Sequence, residues 1–376
     1  MRIGISCYPT YGGSGVVASE LAMALAAGGD EVHVVSYALP SRLELIDSRL
    51  HFHQVLVPHY PLFDYPPYSL ALATMMVEVA RHHHLEVLHV HYAIPNAVSA
   101  ILARQILHPQ PLKVVTTLHG TDITLVGNDP SYLETTRYGI VESDAVTAVS
   151  EALRRATLEQ IGVRNELREI RVVPNFIDPA RFERARHGPG ARRWAKEGER
   201  ILVHVSNFRP VKRVLDAVEV FHRVRRRFPA RLLLVGDGPD RAKVESACRE
   251  CQTCDDITFL GNLPQVEEVL CGADLFLLPS ETESFGLAAL EALSCEVPVI
   301  ATAIGGLPEV VRHGEHGYLL PVGDVEGMAA AAAELLADPE KHRRFGVAGR
   351  QWAVERFAER KIVAQYRDLY EEVLGS

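Results

Sequence analysis

The chain has 376 residues, 47% apolar and 23% charged, with 39 Lys and Arg against 48 Asp and Glu for a formal net charge of −9. That length exceeds what one hydrophobic core fills, and the composition excludes a disordered or fibrous chain. The acidic balance lacks the basic footprint of a nucleic-acid-binding protein, and no stretch approaches the roughly 20 apolar residues of a membrane span. Met1 leads straight into a strand-like segment, with no charged and apolar signal region, so no membrane insertion and a cytoplasmic location are expected. Six cysteines are too few for a disulfide scaffold.

Residues 2–7 (RIGISC) alternate apolar with small or polar side chains, YPTYGGSG interrupts them, and Val17, Leu21, Ala24 and Leu25 then recur at helical spacing up to Gly28-Gly29. EVHVVSY is the next strand candidate, followed by LEVLHVHY, KVVTTLHG and DAVTAV, with helix-length segments such as Leu70–His82 between strands. Strands alternating with helices predict a parallel sheet covered on both faces. The rhythm restarts after VVPNFIDP with RILVHVSNF, RLLLVGDGP, ITFLGNL, DLFLLPS, VPVIAT and GYLLP. The Pro-, Gly- and Arg-rich stretch Val173–Gly198 marks the boundary. The expected fold class is α/β, with two Rossmann-like, doubly wound parallel-sheet domains, 1–175 and 176–354, facing across a cleft. The helical pattern Trp352–Leu374 predicts a C-terminal helix at about 355–376 that packs back on the first domain.

Open parallel sheets bind ligands beyond the carboxyl ends of their strands. Gly12-Gly13-Ser14-Gly15, Tyr92, His119, Asn207–Arg213, Asp237-Gly238 and Glu283–Gly286 all follow apolar strands. Gly13, Gly15 and Ala18 fit the G-x-G-x-x-A fingerprint, yet the second strand ends in Val35-Ser36-Tyr37 without the carboxylate that a dinucleotide ribose needs. What remains is an anion site at a helix start, or a turn that permits tight packing.

Glu283 and Glu291 stand eight residues apart in ESFGLAALE, about 80° past two full helical turns, so Glu283 belongs to the preceding loop. The orphan N–H groups of Phe285, Gly286 and Leu287 suit a phosphate, and the two carboxylates suit sugar hydroxyls. The alternative is a helix N-terminus enriched in acidic residues. Asn207-Phe208-Arg209-Pro210-Val211-Lys212-Arg213 puts three cations into one turn, able to neutralise a diphosphate leaving group without a metal; the alternative is a solvated basic turn. No D-x-D motif stands out.

His119 ends a strand and is a site candidate, whereas His82-His83-His84 reads as a solvated helix end. Tyr92 and Arg137 are candidates for an acidic acceptor. Cys248, Cys251 and Cys254 have metal-like spacing but no fourth ligand, so no metal site is expected.

These residues together resemble the retaining GT-B glycosyltransferases, from Arg2 to about Tyr370, with ESFGLAALEALSCEVPVI and GGLPEVV as the donor-site signature. More narrowly, CYPTYGGSGVVASELA, HVHYAIPNA, TTLHGTDIT, SNFRPVKR and VVPNFID are similar to the N-acetylglucosaminyl L-malate synthases of bacillithiol biosynthesis. The resemblance implies transfer of N-acetylglucosamine from UDP-N-acetylglucosamine to L-malate, with retention and without a metal or other cofactor. It places Arg209 and Lys212 on the diphosphate, Glu291 on the ribose, Glu283 on the donor sugar, His119 near its C6 hydroxyl and Gly13 at the β-phosphate. Where many relatives carry Arg five residues before the lysine this chain has Asn207, which leaves Arg209 and Arg213 both open for the diphosphate. A dianionic acceptor would be read by Arg137, Tyr92, Thr117 and Ser14. Another acceptor (an inositol phosphate or a lipid) and a non-catalytic sugar-nucleotide-binding protein are the competing readings, and a homo-oligomer is compatible with either.

Overall fold

Among the described residues, seven strands form a parallel sheet in the first part of the chain: β1 (Arg2–Ser6), β2 (Glu31–Ser36), β3 (Leu50–Gln54), β4 (Val87–His91), β5 (Lys113–Leu118), β6 (Ala145–Ala148) and β7 (Ile170–Val172). Their order is β3-β2-β1-β4-β5-β6-β7. Six more build a second parallel sheet: β8 (Arg200–Val205), β9 (Ala230–Val235), β10 (Ile257–Gly261), β11 (Leu275–Leu278), β12 (Val299–Thr302) and β13 (Gly317–Leu320), in the order β10-β9-β8-β11-β12-β13. The computed structural model describes every residue except 11, 59–63, 125, 126, 128, 164–168, 188–191, 251, 252 and 376. Chain contacts group Met1–Asn175 with Arg360–Ser376 in one unit and Phe176–Glu359 in the other.

In each sheet the winding direction reverses once, between β1 and β4 and between β8 and β11. A reversal leaves a crevice beyond the strand ends, because the connections on its two sides leave in opposite directions. The loops after these four strands are therefore where each unit can hold a ligand.

Strands covered on both faces read as nearly continuous apolar runs, and β4 and β11 are buried at every position. Two strands lay outside the sequence expectation. β3 is a partly exposed edge strand carrying two histidines, and β7 is a three-residue edge strand.

The expected C-terminal segment is two helices, Pro339–Phe357 and Glu359–Gly375. They part at Ala358, whose extended backbone forms a bridge with Ile177. Ile177 N–H donates to Phe357 O at 3.0 Å and Glu359 N–H donates to Ile177 O at 2.8 Å. The last helix buries a stripe of Ile362, Val363, Tyr366, Leu369, Tyr370 and Val373 within the first unit, each apolar side chain contributing about 1.5–3 kcal/mol. Its Tyr370 hydroxyl meets His89 Nδ1 on β4 at 2.6 Å.

Candidate active site

In the second unit, the loops that follow β8 and β11 are built on each other. His204 on β8 meets Leu277 O at 2.9 Å through Nδ1 and Ser206 Oγ at 2.8 Å through Nε2. Burial lowers this imidazole to about 4, with Lys212 as a further lowering charge, so it is neutral at pH 7. Phe208 then buries its ring completely at a backbone φ of 38°, which turns the chain so that Arg209 opens the 3-10 turn Pro210–Lys212. Glu281 N–H donates to Val211 O at 2.8 Å, tying the two loops together.

Lys212 and Glu283, 71 residues apart in sequence, meet at 2.6 Å between Nζ and Oε1, and Ser280 Oγ donates to the same carboxylate oxygen at 2.9 Å. Glu283 lies in the loop, as its spacing from Glu291 requires, and its carbonyl accepts from Gly306 N–H at 3.0 Å. Gly286 caps the helix Leu287–Ser294 at φ 96°, and Glu291 is buried on that helix. Phe285 contributes only its backbone here, because its ring is buried edge-on against Phe357.

The two arginines left open by the sequence differ in their surroundings. Arg213 Nε is held by Asp216 Oδ2 at 2.8 Å. Arg209 Nε is buried without a hydrogen-bond partner among the described residues. A buried, unpaired guanidinium nitrogen is costly unless an anion joins it, which favours Arg209 as the anion ligand. Asn207 is exposed, and its carbonyl lies only 2.0 Å from where a Cβ on Gly238 would stand.

In the first unit, Gly13 begins the helix Gly13–Ala27 directly after the β1 loop. A Cβ on Gly15 would sit 2.6 Å from the carbonyls of both Tyr8 and Thr10, so only glycine permits this close return of the chain. Ser14 Oγ donates to the Tyr92 hydroxyl at 3.0 Å, joining the loops after β1 and β4. Tyr92 holds φ 88° and ψ 136°, a conformation that costs a side-chain-bearing residue on the order of 1–3 kcal/mol and concentrates at functional sites. Its N–H donates to Thr117 O at 2.9 Å, and its ring lies 5.5 Å from Tyr8 and 5.4 Å from His119.

His119 is 9% exposed, and its Nε2 meets His91 Nδ1 at 2.8 Å. Burial pushes it down to about 3, so it acts as a neutral imidazole. Sequence reasoning missed Asp122, the last residue of the L-H-G-T-D run. Its carboxylate accepts from the N–H groups of His119 (3.2 Å), Gly120 (2.8 Å) and Ala93 (3.1 Å), fixing the ends of β4 and β5 together. Burial raises it to about 6 against the lowering effect of those bonds.

Thr117 departs from the expected acceptor role. It is fully buried, and its hydroxyl is engaged with His89 Nε2 and Thr147 Oγ1, each at 2.7 Å. The two-residue period puts it on the His119 face of β5, but one layer deeper in the core. Arg137 is half-buried on the helix Leu133–Val141. His83 is not a solvated helix end: its ring lies 4.0 Å from that of His33. Cys248 is buried, Cys251 lies outside the described residues, and Cys254 falls in a 3-10 turn.

The family model for glycosyltransferase family 4 matches residues 11–181, and that for glycosyl transferases group 1 matches residues 191–352. N-acetyl-alpha-D-glucosaminyl L-malate synthase of Bacillus anthracis is 47% identical over 375 residues, spanning 100% of this chain and 97% of that protein. The chain belongs to the same glycosyltransferase family. A more distant relative, glycogen synthase of Mycobacterium tuberculosis, is 32% identical over 61% of this chain and 54% of its own. Among solved structures, sucrose-phosphate synthase from Thermosynechococcus elongatus superposes with a TM-score of 0.79 at 23% identity, covering 100% of this chain and 99% of its own. Anabaena Alr3699/HepE in complex with UDP-glucose gives 0.80 at 20% identity, covering 99% and 100%. These likenesses are in fold: this glycosyltransferase is made of two parallel-sheet α/β domains of the GT-B kind. Among the described residues no helix is long and apolar enough to cross a membrane.

Proposed function

We propose that this glycosyltransferase moves N-acetylglucosamine from UDP-N-acetylglucosamine to the hydroxyl of L-malate, with retention at the anomeric carbon and no metal ion. The observation that carries the reading is the full-length 47% identity to the malate synthase. The chemistry of the second unit supports it. Arg209 and Lys212 are fixed cations for the diphosphate, and the N–H groups opening the helix Leu287–Ser294 add donors for the same anion. Glu291 would hold the ribose and Glu283 the sugar hydroxyls.

Departure of UDP leaves negative charge on the β-phosphate oxygen, and cations already in place stabilise that charge in the transition state. The departing oxygen then takes the proton of the attacking malate hydroxyl on the same face, which gives retention without an enzyme nucleophile. In the first unit, Gly13 is assigned to the β-phosphate, His119 to the donor sugar, and Ser14, Tyr92 and Arg137 to the acceptor. The reading places the protein at the first step of bacillithiol biosynthesis, as a cytoplasmic enzyme.

The test is UDP release from UDP-N-acetylglucosamine with and without malate, in excess EDTA, with the anomeric configuration of the product read by NMR. Malate-dependent release giving an α-linked product is expected. Release that depends on another acceptor would reassign the substrate, and activity lost in EDTA but restored by magnesium would overturn the metal-free mechanism.

A further inference from the structure

Away from the residues assigned to the transfer reaction, the first unit gathers histidines from three elements. His33 lies on β2, His53 on β3, and His83 at the end of the helix Tyr68–His83. One ligand nitrogen from each lies within 4.8 Å of the others. His83 stands just before β4 begins, whereas Tyr92 and His119 follow the carboxyl ends of β4 and β5. The cluster is therefore separate from the proposed transfer chemistry.

We propose that His33, His53 and His83 form a zinc site, with the fourth position left to water. His33 Nδ1 and His53 Nε2 are 2.9 Å apart. In a tetrahedral site with Zn–N bonds of about 2.0–2.1 Å, ligand nitrogens stand roughly 3.3 Å apart, so this pair opens by only a few tenths of an ångström to admit the ion.

The other nitrogen of His33 faces Glu31 Oε1 at 3.3 Å. A metal-bound imidazole commonly donates its remaining N–H to a carboxylate in this way, which fixes the tautomer and the ring orientation. His33 is fully buried, while His53 and His83 are half-buried and leave a path for the ion. His83 also belongs to the last turn of its helix, where the macrodipole favours a cation.

Burial and the surrounding imidazoles hold His33 down to about 3 and His53 to about 4, and lower His83, so all three present lone pairs at neutral pH. His51, whose ring stacks on His33 at 4.7 Å and whose Nε2 lies 4.0 Å from Glu31, adds a neighbour without completing this ligand set. A bound ion would clamp β2, β3 and the helix Tyr68–His83 to one another and stabilise the fold by mass action.

The experiment uses the full chain without a histidine tag, stripped with chelator and dialysed, then titrated with zinc chloride by calorimetry and with cobalt chloride by visible absorbance. One equivalent of zinc with a raised Tm, and the intense visible band of four-coordinate cobalt, are expected. His53→Gln, His83→Gln and Glu31→Gln should each weaken binding by about tenfold or more. Absence of saturable binding, a six-coordinate cobalt spectrum, or undiminished zinc binding by the folded His53→Gln/His83→Gln double variant would overturn the site. The cobalt spectrum decides the matter on the wild-type chain even where a variant does not fold.

Discussion

Lys212 and Glu283 are mostly buried and share one short ion pair, so neither charge can be removed without leaving the other poorly compensated. Lys212 is also the cation proposed to meet the leaving diphosphate, and Lys212→Ala should lower kcat by about two orders of magnitude. A variant with near wild-type turnover would take Lys212 out of the mechanism. The two neighbouring arginines allow a sharper comparison. Arg209→Ala should raise KM for the sugar nucleotide and lower kcat, because its buried Nε has no other partner among the described residues. Arg213→Ala should leave both constants within a few-fold, because Asp216 already holds that guanidinium. Steady-state kinetics that reverse this order would exchange their roles. For the acceptor, Arg137→Ala should raise KM for malate with little change for the sugar nucleotide, since a guanidinium binding a carboxylate acts mainly on the ground state. Equal loss for both substrates would mark a folding defect instead.

At the scale of elements, the loop that carries Glu283 is shaped by a second loop, which presses glycine against it. A Cβ on Gly305 would lie 1.9 Å from Glu283 O, at a backbone φ of +52°. Gly305→Ala must therefore shift the Glu283 backbone, and a displacement of about 1 Å in a catalytic group can cost about 10²-fold in rate. Gly314→Ala is the control: its φ is +80°, but nothing lies within 4 Å of the added carbon. It should lose stability without a comparable loss in kcat/KM, and equal kinetic losses would show that strain, not displacement of Glu283, limits the first variant. Much of this architecture is legible in sequence, because parallel strands buried on both faces leave apolar runs such as LEVLHVHY and DLFLLPS with glycine or polar residues at their exits. The edge strand LHFHQ is not, since its exposed side relieves it of apolar residues. Nor is the pairing of Lys212 with Glu283, which depends on β8 and β11 being neighbours in the sheet. The φ of Tyr92 leaves no mark in composition, whereas Asp122 was visible in L-H-G-T-D and needed only the recognition that a short-range carboxylate can cap two strand ends.

Taken as a whole, the molecule carries neutral histidines in the interior of both units, and this sets its response to acid. His89 in the first unit and His204 in the second are fully buried and His119 nearly so, and burial holds His89, His119 and His204 at about 3, 3 and 4. An unfolded histidine titrates near 6.5, so the unfolded chain takes up protons that the folded chain refuses. The stability these groups contribute is full above about pH 6.5 and is lost as pH falls toward their folded values. At pH 5 the loss is about 2 kcal/mol for each of the three. His91, also lowered by burial, acts in the same direction. Asp122 opposes them: its value is raised to about 6, so its contribution is full below the unfolded carboxylate value near 3.9 and is lost as pH rises through 6. Acidification from pH 6 to pH 5 thus recovers about 1 kcal/mol from Asp122, well short of the histidine loss. Against a net stability of about 5–15 kcal/mol, the deficit should bring cooperative unfolding at about pH 5, followed by far-UV circular dichroism and tryptophan fluorescence at constant ionic strength. Native signals persisting to pH 3.5 would mean that these imidazoles accept protons within the fold. His204→Gln should move the midpoint to lower pH relative to its own stability at pH 7.5, because glutamine carries no proton to be refused.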